Sequence, residues 1–343
     1  MRYPEFLKAD GSVGFIAPSF GCATMPYSAC FDKTAELFRE MGHTVAEGPN
    51  ARASAGIGKS NTDEACGAEV NDFFINKKSD VIISCGGGEL MCEDLPFVDF
   101  KGIAAAKPTW YMGYSDNTNL TFLLPTLCDT AAVYGPCASE FAMKPWHPAL
   151  NDAYDLLRGK KLSFSNYNGW EKEQTKDEEH PFEPYNITEK YSQRIAGSAE
   201  KETCFEGRFI GGCLDCLVNL VGTPFDRVKE FNARYAKDGI VWFIESCELN
   251  TMSVRRALWH MEQAGWFEHI RGFLVGRPMM YEDRFIDFTI KDAFISVLTK
   301  YNVPIVYNVD IGHLSPMMPV ISGGYGKVCA KENSLIVSYD LDR

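Results

Sequence analysis

Short apolar runs that end at glycine- or serine-rich turns, each followed by a stretch of helical periodicity, fill the first half of this chain. That alternation leaves few folds open. Residues 13–17 read as a first strand closed by Pro18 and Ser19, and residues 31–41 carry Phe31, Ala35, Leu37, Phe38 and Met41 at near-helical spacing until Gly42 stops them. Residues 80–84 form a compact apolar run entering Gly86, Gly87 and Gly88, and residues 109–113 form another, followed at once by Ser115, Asp116 and Asn117 and then by the apolar stretch 120–127. Strands alternating with helices predict an α/β fold with a parallel sheet covered on both faces. Ligands of such sheets sit beyond the C-terminal strand ends, where the Gly86 and Ser115 turns both fall.

The second half begins near Cys204. A strand over 206–210 enters Gly211 and Gly212, the apolar run 240–244 ends at Glu245, and residues 251–263 read as a helix with Val254, Leu258 and Met261 on one face. Runs at 273–275 and 305–307 add strands, and the alternation around Val328, Leu335 and Val337 predicts terminal antiparallel strands. Between the halves lies a dense charged run, residues 171–179, bounded by Pro181 and Pro184. It reads as an interdomain linker, an exposed flap or a solvated loop. The expected organisation is an α/β domain over 1–164, a charged linker or flap over 165–203 and a β-rich domain over 204–343. Trp170 stands at the edge of the charged run, where a large aromatic often touches ligand.

Charge and cysteine usage exclude several classes. The 46 acidic residues outnumber 34 Lys and Arg, for a formal net charge of −12, which speaks against a nucleic-acid polymer or an anionic membrane as partner. No run of about 18 apolar residues predicts a transmembrane helix, and the N-terminal segment lacks the apolar core of a signal peptide. The twelve cysteines are scattered singly in a chain too long to need disulfides. The simplest expectation is a reduced, cytoplasmic protein.

Candidate chemistry concentrates at strand ends. Ser115, between a strand and a helix, fits either a nucleophile elbow, with the Asp116 N–H and the helix N-terminus facing a developing oxyanion, or a plain helix cap. The second glycine of the G-x-S-x-G elbow is replaced by Asn117. The Gly86–Gly88 turn is not a dinucleotide fingerprint, because Met91 stands at the third glycine, and it lacks a P-loop lysine. Cys85 fits an amidotransferase-type nucleophile or a buried core thiol. Glu245 ends an apolar strand, and His313 lies in a loop flanked by glycine and proline. Ser115, Glu245 and His313 follow one of the convergent orders of a serine triad and suffice for acyl transfer. The Cys213/Cys216 pair lies in an apolar helical run and reads as packing rather than zinc or redox chemistry.

The segments GFIAPS, SCGGGELMCEDLPFVDF, MGYSDNTNL, YGPCASEF, GRFIGGCLDCL, VWFIESCELNTMSVRRALWHMEQAGWFEHIRGFLVGRP and VPIVYNVDIGHLSPMMP, spread in this order over nearly the whole chain, resemble the LD-carboxypeptidase family of serine peptidases, especially its microcin C immunity branch. The resemblance implies a two-domain hydrolase, an N-terminal flavodoxin- or Rossmann-like domain followed by a smaller, β-rich C-terminal domain, with nucleophile Ser115, acid Glu245 and base His313. Its oxyanion would be held by the backbone N–H groups of Gly88 and Asp116, with Gly87, Trp170 and Cys213 as substrate contacts. It implies no metal and no organic cofactor, and members are commonly homodimers. The implied substrate is a microcin C-type peptidyl-aminoacyl nucleotide or a related small acyl-amide. Alternatives are a muropeptide LD-amide of cell-wall recycling and, from another class, a non-catalytic ligand-binding protein on the same fold. The chain departs from the family pattern at Cys213, where an Asn is frequent, and at Cys66-Gly67-Ala68-Glu69, where an Arg is usual. A second flap aromatic would fall to Phe182 or Tyr185.

Overall fold

The computed structural model describes residues 1–56, 58–197 and 201–343. It divides into two compact units: residues 1–161 with 173–186, and residues 162–172 with 187–343. The segment 165–203 is therefore shared out rather than standing apart, and residues 198–200 at its end lie outside the described residues.

In the first unit β1 (Ser12–Ile16), α1 (Tyr27–Glu40), β2 (Thr44–Glu47), α2 (Asp63–Ile75), β3 (Val81–Ser84), α3 (Phe100–Ala105), β4 (Trp110–Gly113), α4 (Thr118–Thr121), α5 (Leu123–Cys128), β5 (Ala132–Tyr134) and α6 (Pro148–Leu157) follow one another. The strands run parallel in the order β5-β4-β3-β1-β2. β3 and β4 are buried along their whole length, as strands covered on both faces must be. Ile16, Ile82 and Tyr111 pack with Val70, Phe73 and Phe74 of α2 and with Leu120 and Leu124. The apolar stretch 120–127 is divided between two short helices, α4 and α5. Pro125 has no N–H to return to the preceding turn, so the ladder cannot run through it.

Glu69, on the buried face of α2, shows what the Cys66–Glu69 departure does. Its two carboxylate oxygens accept the backbone N–H groups of Ala17, just beyond β1, and Asn50, each at 2.9 Å. Burial pushes its pKa up to about 7, against the pull of those hydrogen bonds.

The second unit holds β6 (Ser163–Ser165), β7 (Gly169–Glu171), β8 (Ile187–Lys190), β9 (Arg194–Ala196), β10 (Glu202–Cys213), α7 (Leu214–Leu220), α8 (Val228–Arg234), β11 (Ile240–Glu245), α9 (Thr251–Gln263), β12 (Ile270–Gly276), β13 (Arg284–Phe285), β14 (Phe288–Thr289), α10 (Ile290–Leu298), β15 (Ile305–Val309), β16 (Val320–Ser322), β17 (Tyr325–Lys331) and β18 (Ser334–Asp340). Eight of these strands form one mixed sheet in the order β6-β18-β17-β10-β11-β12-β15-β9. β10, β11, β12 and β15 are parallel at its centre, and the expected terminal strands β17 and β18 are antiparallel. The α9 helix starts where Asn250 accepts the Ser253 N–H, and it buries Val254, Leu258 and Met261.

One expectation fails here. The antiparallel register sets Cys204 opposite Cys329 with Cα atoms 4.2 Å apart, and the two are joined by a disulfide, so the cysteines are not all reduced. Sequence spacing could not reveal it, because the partners are 125 residues apart and meet only through strand pairing. Among the described residues no helix is long and apolar enough to cross a membrane.

Candidate active site

The first cluster of functional side chains forms at the end of β4. Ser115 takes a left-handed backbone conformation (φ 62°), unusual for a residue other than glycine and typical of a sharp strand-to-helix elbow that exposes a hydroxyl. A short 3₁₀ turn, Ser115–Asn117, follows before α4. The helix N-terminus expected behind Ser115 is thus only a few residues long, and its dipole is correspondingly small. The Ser115 N–H donates to the Tyr134 hydroxyl at 3.2 Å.

Asn117 explains the missing elbow glycine. Its amide nitrogen donates to the carbonyls of Gly86 (2.8 Å) and Tyr114 (2.9 Å), and its amide oxygen accepts the Tyr111 hydroxyl at 2.5 Å. The side chain thereby ties the glycine turn after β3 to the serine turn after β4. Gly113 makes room for it, since a Cβ there would stand 2.8 Å from Asn117 Cγ. Asp116 does similar work with its carboxylate, which accepts the Ser19 hydroxyl (2.5 Å), the Met91 N–H (2.9 Å) and the Asn119 amide (3.0 Å).

Two glycines adjoin this turn. A Cβ on Gly87 would lie 3.2 Å from Ser115 Oγ, so bare backbone runs beside the hydroxyl. Gly88 admits no side chain either, because Ser19 Oγ and the Gly58 carbonyl occupy the space. Cys85 is fully buried, and burial pushes its thiol well above the ordinary range, which does not suit a thiolate nucleophile.

The second cluster belongs to the other unit. Glu245, completely buried at the end of β11, accepts the His313 Nδ1–H at 2.9 Å. Gly276 and Gly312 close on Glu245 from two sides, and a Cβ at Gly312 would stand 2.7 Å from Glu245 Oε2. Burial disfavours the His313 imidazolium, but the charge and hydrogen bond of Glu245, with the Cys247 thiol, outweigh it and hold the pKa well above the ordinary value of 6.5. The loop carrying His313 is pinned by Arg277, whose Nη2 pairs with Asp310 (2.6 Å) and donates to the Leu314 carbonyl (3.2 Å). The Glu171 N–H adds a bond to the Ser315 carbonyl at 2.8 Å.

Cys213 lies beside Glu245 in the β10–β11 register, and the ligand atoms of Cys213, Glu245 and His313 fall within 4.8 Å of one another. Cys213 is therefore part of this cluster as well as of the buried packing. Asp215, overlooked in the sequence, accepts the N–H groups of Cys247 (3.1 Å), Glu248 (2.8 Å) and Leu249 (3.1 Å), and so shapes the turn after Glu245. Trp170, in β7, packs edge-on against Tyr281 at 5.5 Å, with the Arg277 guanidinium 5.3 Å from its ring centre. Of the two flap aromatics, Tyr185 packs at a tilt against His147, 5.3 Å between ring centres, and donates to Glu140 at 3.1 Å, whereas Phe182 is exposed.

The two clusters contain the groups that acyl transfer needs: a hydroxyl on a strained turn beside bare backbone, and an imidazole oriented by a buried carboxylate. Among known proteins, residues 13–135 match the model of the LD-carboxypeptidase N-terminal domain, and residues 206–328 match that of the C-terminal domain. The chain is 22% identical over 325 residues to the microcin C7 self-immunity protein MccF of Escherichia coli, covering 92% of this chain and 90% of that one. It is 24% identical over 342 residues to a Bacillus subtilis protein named "Probable murein peptide carboxypeptidase", covering 97% and 93%. A solved structure of MccF in complex with aspartyl sulfamoyl adenosine superposes with a TM-score of 0.79 at 20% identity, covering 99% of both chains. With both domain models matched in order along its length, the chain belongs to the LD-carboxypeptidase family of serine peptidases.

Proposed function

We propose that the enzyme cleaves an amide bond next to the C-terminus of a small acyl-amide through Ser115, His313 and Glu245. His313 takes the Ser115 proton as the hydroxyl attacks the carbonyl carbon, and the N–H groups of Gly88 and Asp116 receive the oxyanion. His313 then returns the proton to the leaving amine, and water activated by the same imidazole resolves the acyl-enzyme. Glu245 holds the imidazole with its Nε2 lone pair available and stabilises the imidazolium. The observation that carries this reading is the 2.9 Å contact between His313 Nδ1 and the buried Glu245 carboxylate, in a chain that also holds Ser115 at a left-handed elbow.

The substrate we propose is a peptidyl-aminoacyl nucleotide of the microcin C type, with Trp170 and Gly87 among its contacts. Its support is the likeness to MccF, solved with an aminoacyl sulfamoyl nucleoside, and the aromatic at Trp170. A muropeptide LD-amide is the second reading, supported by the likeness to the Bacillus subtilis protein. Incubating the enzyme with both compounds and following each product by mass spectrometry separates them. Release of the terminal residue from the muropeptide alone would overturn the nucleotide reading. The family resemblance extends the proposal to a cytoplasmic homodimer, which sedimentation velocity and cell fractionation test.

A further inference from the structure

Cys213 and Glu245 are register partners at the ends of two neighbouring parallel strands, and His313 bonds Glu245 from its own loop. One sulfur, one nitrogen and one oxygen donor are thus brought within 4.8 Å of one another. A tetrahedral zinc ion, with bonds of about 2.3 Å to sulfur and about 2.0–2.1 Å to nitrogen or oxygen, needs its donors roughly 3.3–3.6 Å apart, so small side-chain rotations suffice to close the set. Thiolate and imidazole donors select zinc over magnesium or calcium. More sulfur stands nearby: the Cys247 thiol, two residues beyond Glu245, approaches Met279 Sδ at 3.6 Å. The donors are also held in place, Glu245 by Gly276 and Gly312 and the His313 loop by Arg277.

We propose that Cys213, Glu245 and His313 bind a zinc ion, and that zinc bound there silences the enzyme. The ion replaces the thiol proton of Cys213, which leaves to solvent, and accepts a lone pair each from the Cys213 thiolate, a Glu245 carboxylate oxygen and a nitrogen of neutral His313. The hydrogen bond between His313 Nδ1 and Glu245 gives way as these three metal bonds form, and a second imidazolium proton, where present, also leaves to solvent. With its imidazole coordinated, His313 can no longer accept the Ser115 proton. This inhibitory consequence rests on the role proposed above for His313, whereas the binding site itself does not.

Cobalt titration of the chelator-treated protein reads the site directly. One equivalent per chain should produce a thiolate-to-cobalt charge-transfer band that zinc removes. The Cys213→Ser variant, checked for native far-ultraviolet circular dichroism, should lack the band and bind zinc more than about tenfold more weakly. Should that variant not fold, X-ray absorption of the zinc-loaded wild-type protein decides: a shell containing sulfur is expected, and one of only nitrogen and oxygen overturns the site. In the activity arm, one equivalent of zinc should abolish wild-type hydrolysis and a chelator restore it. The Cys213→Ser variant should keep its own zinc-free rate at the same zinc concentration. No band, a band that survives Cys213→Ser, or acceleration by zinc would each overturn the proposal. Failure of all hydrolysis in zinc-free protein would count against the Ser115 mechanism alone, because the spectra still decide the metal site.

Discussion

Ser115 spends backbone strain, on the order of 1–3 kcal/mol, to hold its hydroxyl at an elbow, a cost a mere helix cap does not require. Ser115→Ala should therefore lower kcat by about 10³–10⁶ while the protein stays folded. Near-normal turnover in that variant would remove Ser115 from the mechanism. His313 supplies the pH dependence. Its pKa is raised, so it keeps its proton to higher pH than an ordinary histidine, and a general base must be neutral. The acid limb of kcat/KM should accordingly lie above pH 6.5 and move down in Glu245→Gln, as a pH–rate series on both proteins would read. Cys85→Ser, by contrast, should leave turnover largely intact, since that thiol is buried and protonated.

At the scale of elements, two polar side chains join secondary structures that apolar packing alone would leave loosely related. Asn117 bonds the turns after β3 and β4 to each other. Asn117→Asp keeps its shape but sets a carboxylate against two carbonyl oxygens, and should cost about 2–4 kcal/mol in urea unfolding. Glu69 bonds α2 to the backbone just beyond β1 and to Asn50. With a folded pKa of about 7 against 4.5 for the free group, the native state binds more protons than the unfolded chain between those values. Stability should thus fall as pH rises through that window, by an amount on the order of 3 kcal/mol from this group. Thermal melts from pH 5 to 7.5 should show that slope in the wild type and a flatter one in Glu69→Gln.

At the scale of the molecule, the second unit carries a covalent link between β10 and β17, neighbours in its eight-stranded sheet. Ten of the twelve cysteines are free thiols, so maleimide titration of the denatured protein should count ten before reduction and twelve after. A count of twelve without reductant would restore the fully reduced chain that the scattered spacing suggests. The same cysteine arithmetic bears on where the protein works, because structural disulfides are uncommon in reducing compartments.

Much was determined by the sequence itself: the α/β alternation, the helix 251–263, the terminal antiparallel pair, and Ser115, Glu245 and His313 each at a strand end or adjoining loop. These are local signals, written in periodicity of 2 or 3.6 and in turn residues, and they survive without knowledge of distant partners. The rest took the folded chain to reveal. That Asn117 stands in for a glycine by bridging two turns, that Glu69 serves two backbone amides, that Asp215 builds the turn after Glu245, and that Cys213 belongs with His313 all depend on contacts between segments far apart in the chain. The Cys204–Cys329 bond is the extreme case. Strand register, which no local pattern encodes when both partners alternate in the same way, chose that pair out of twelve cysteines.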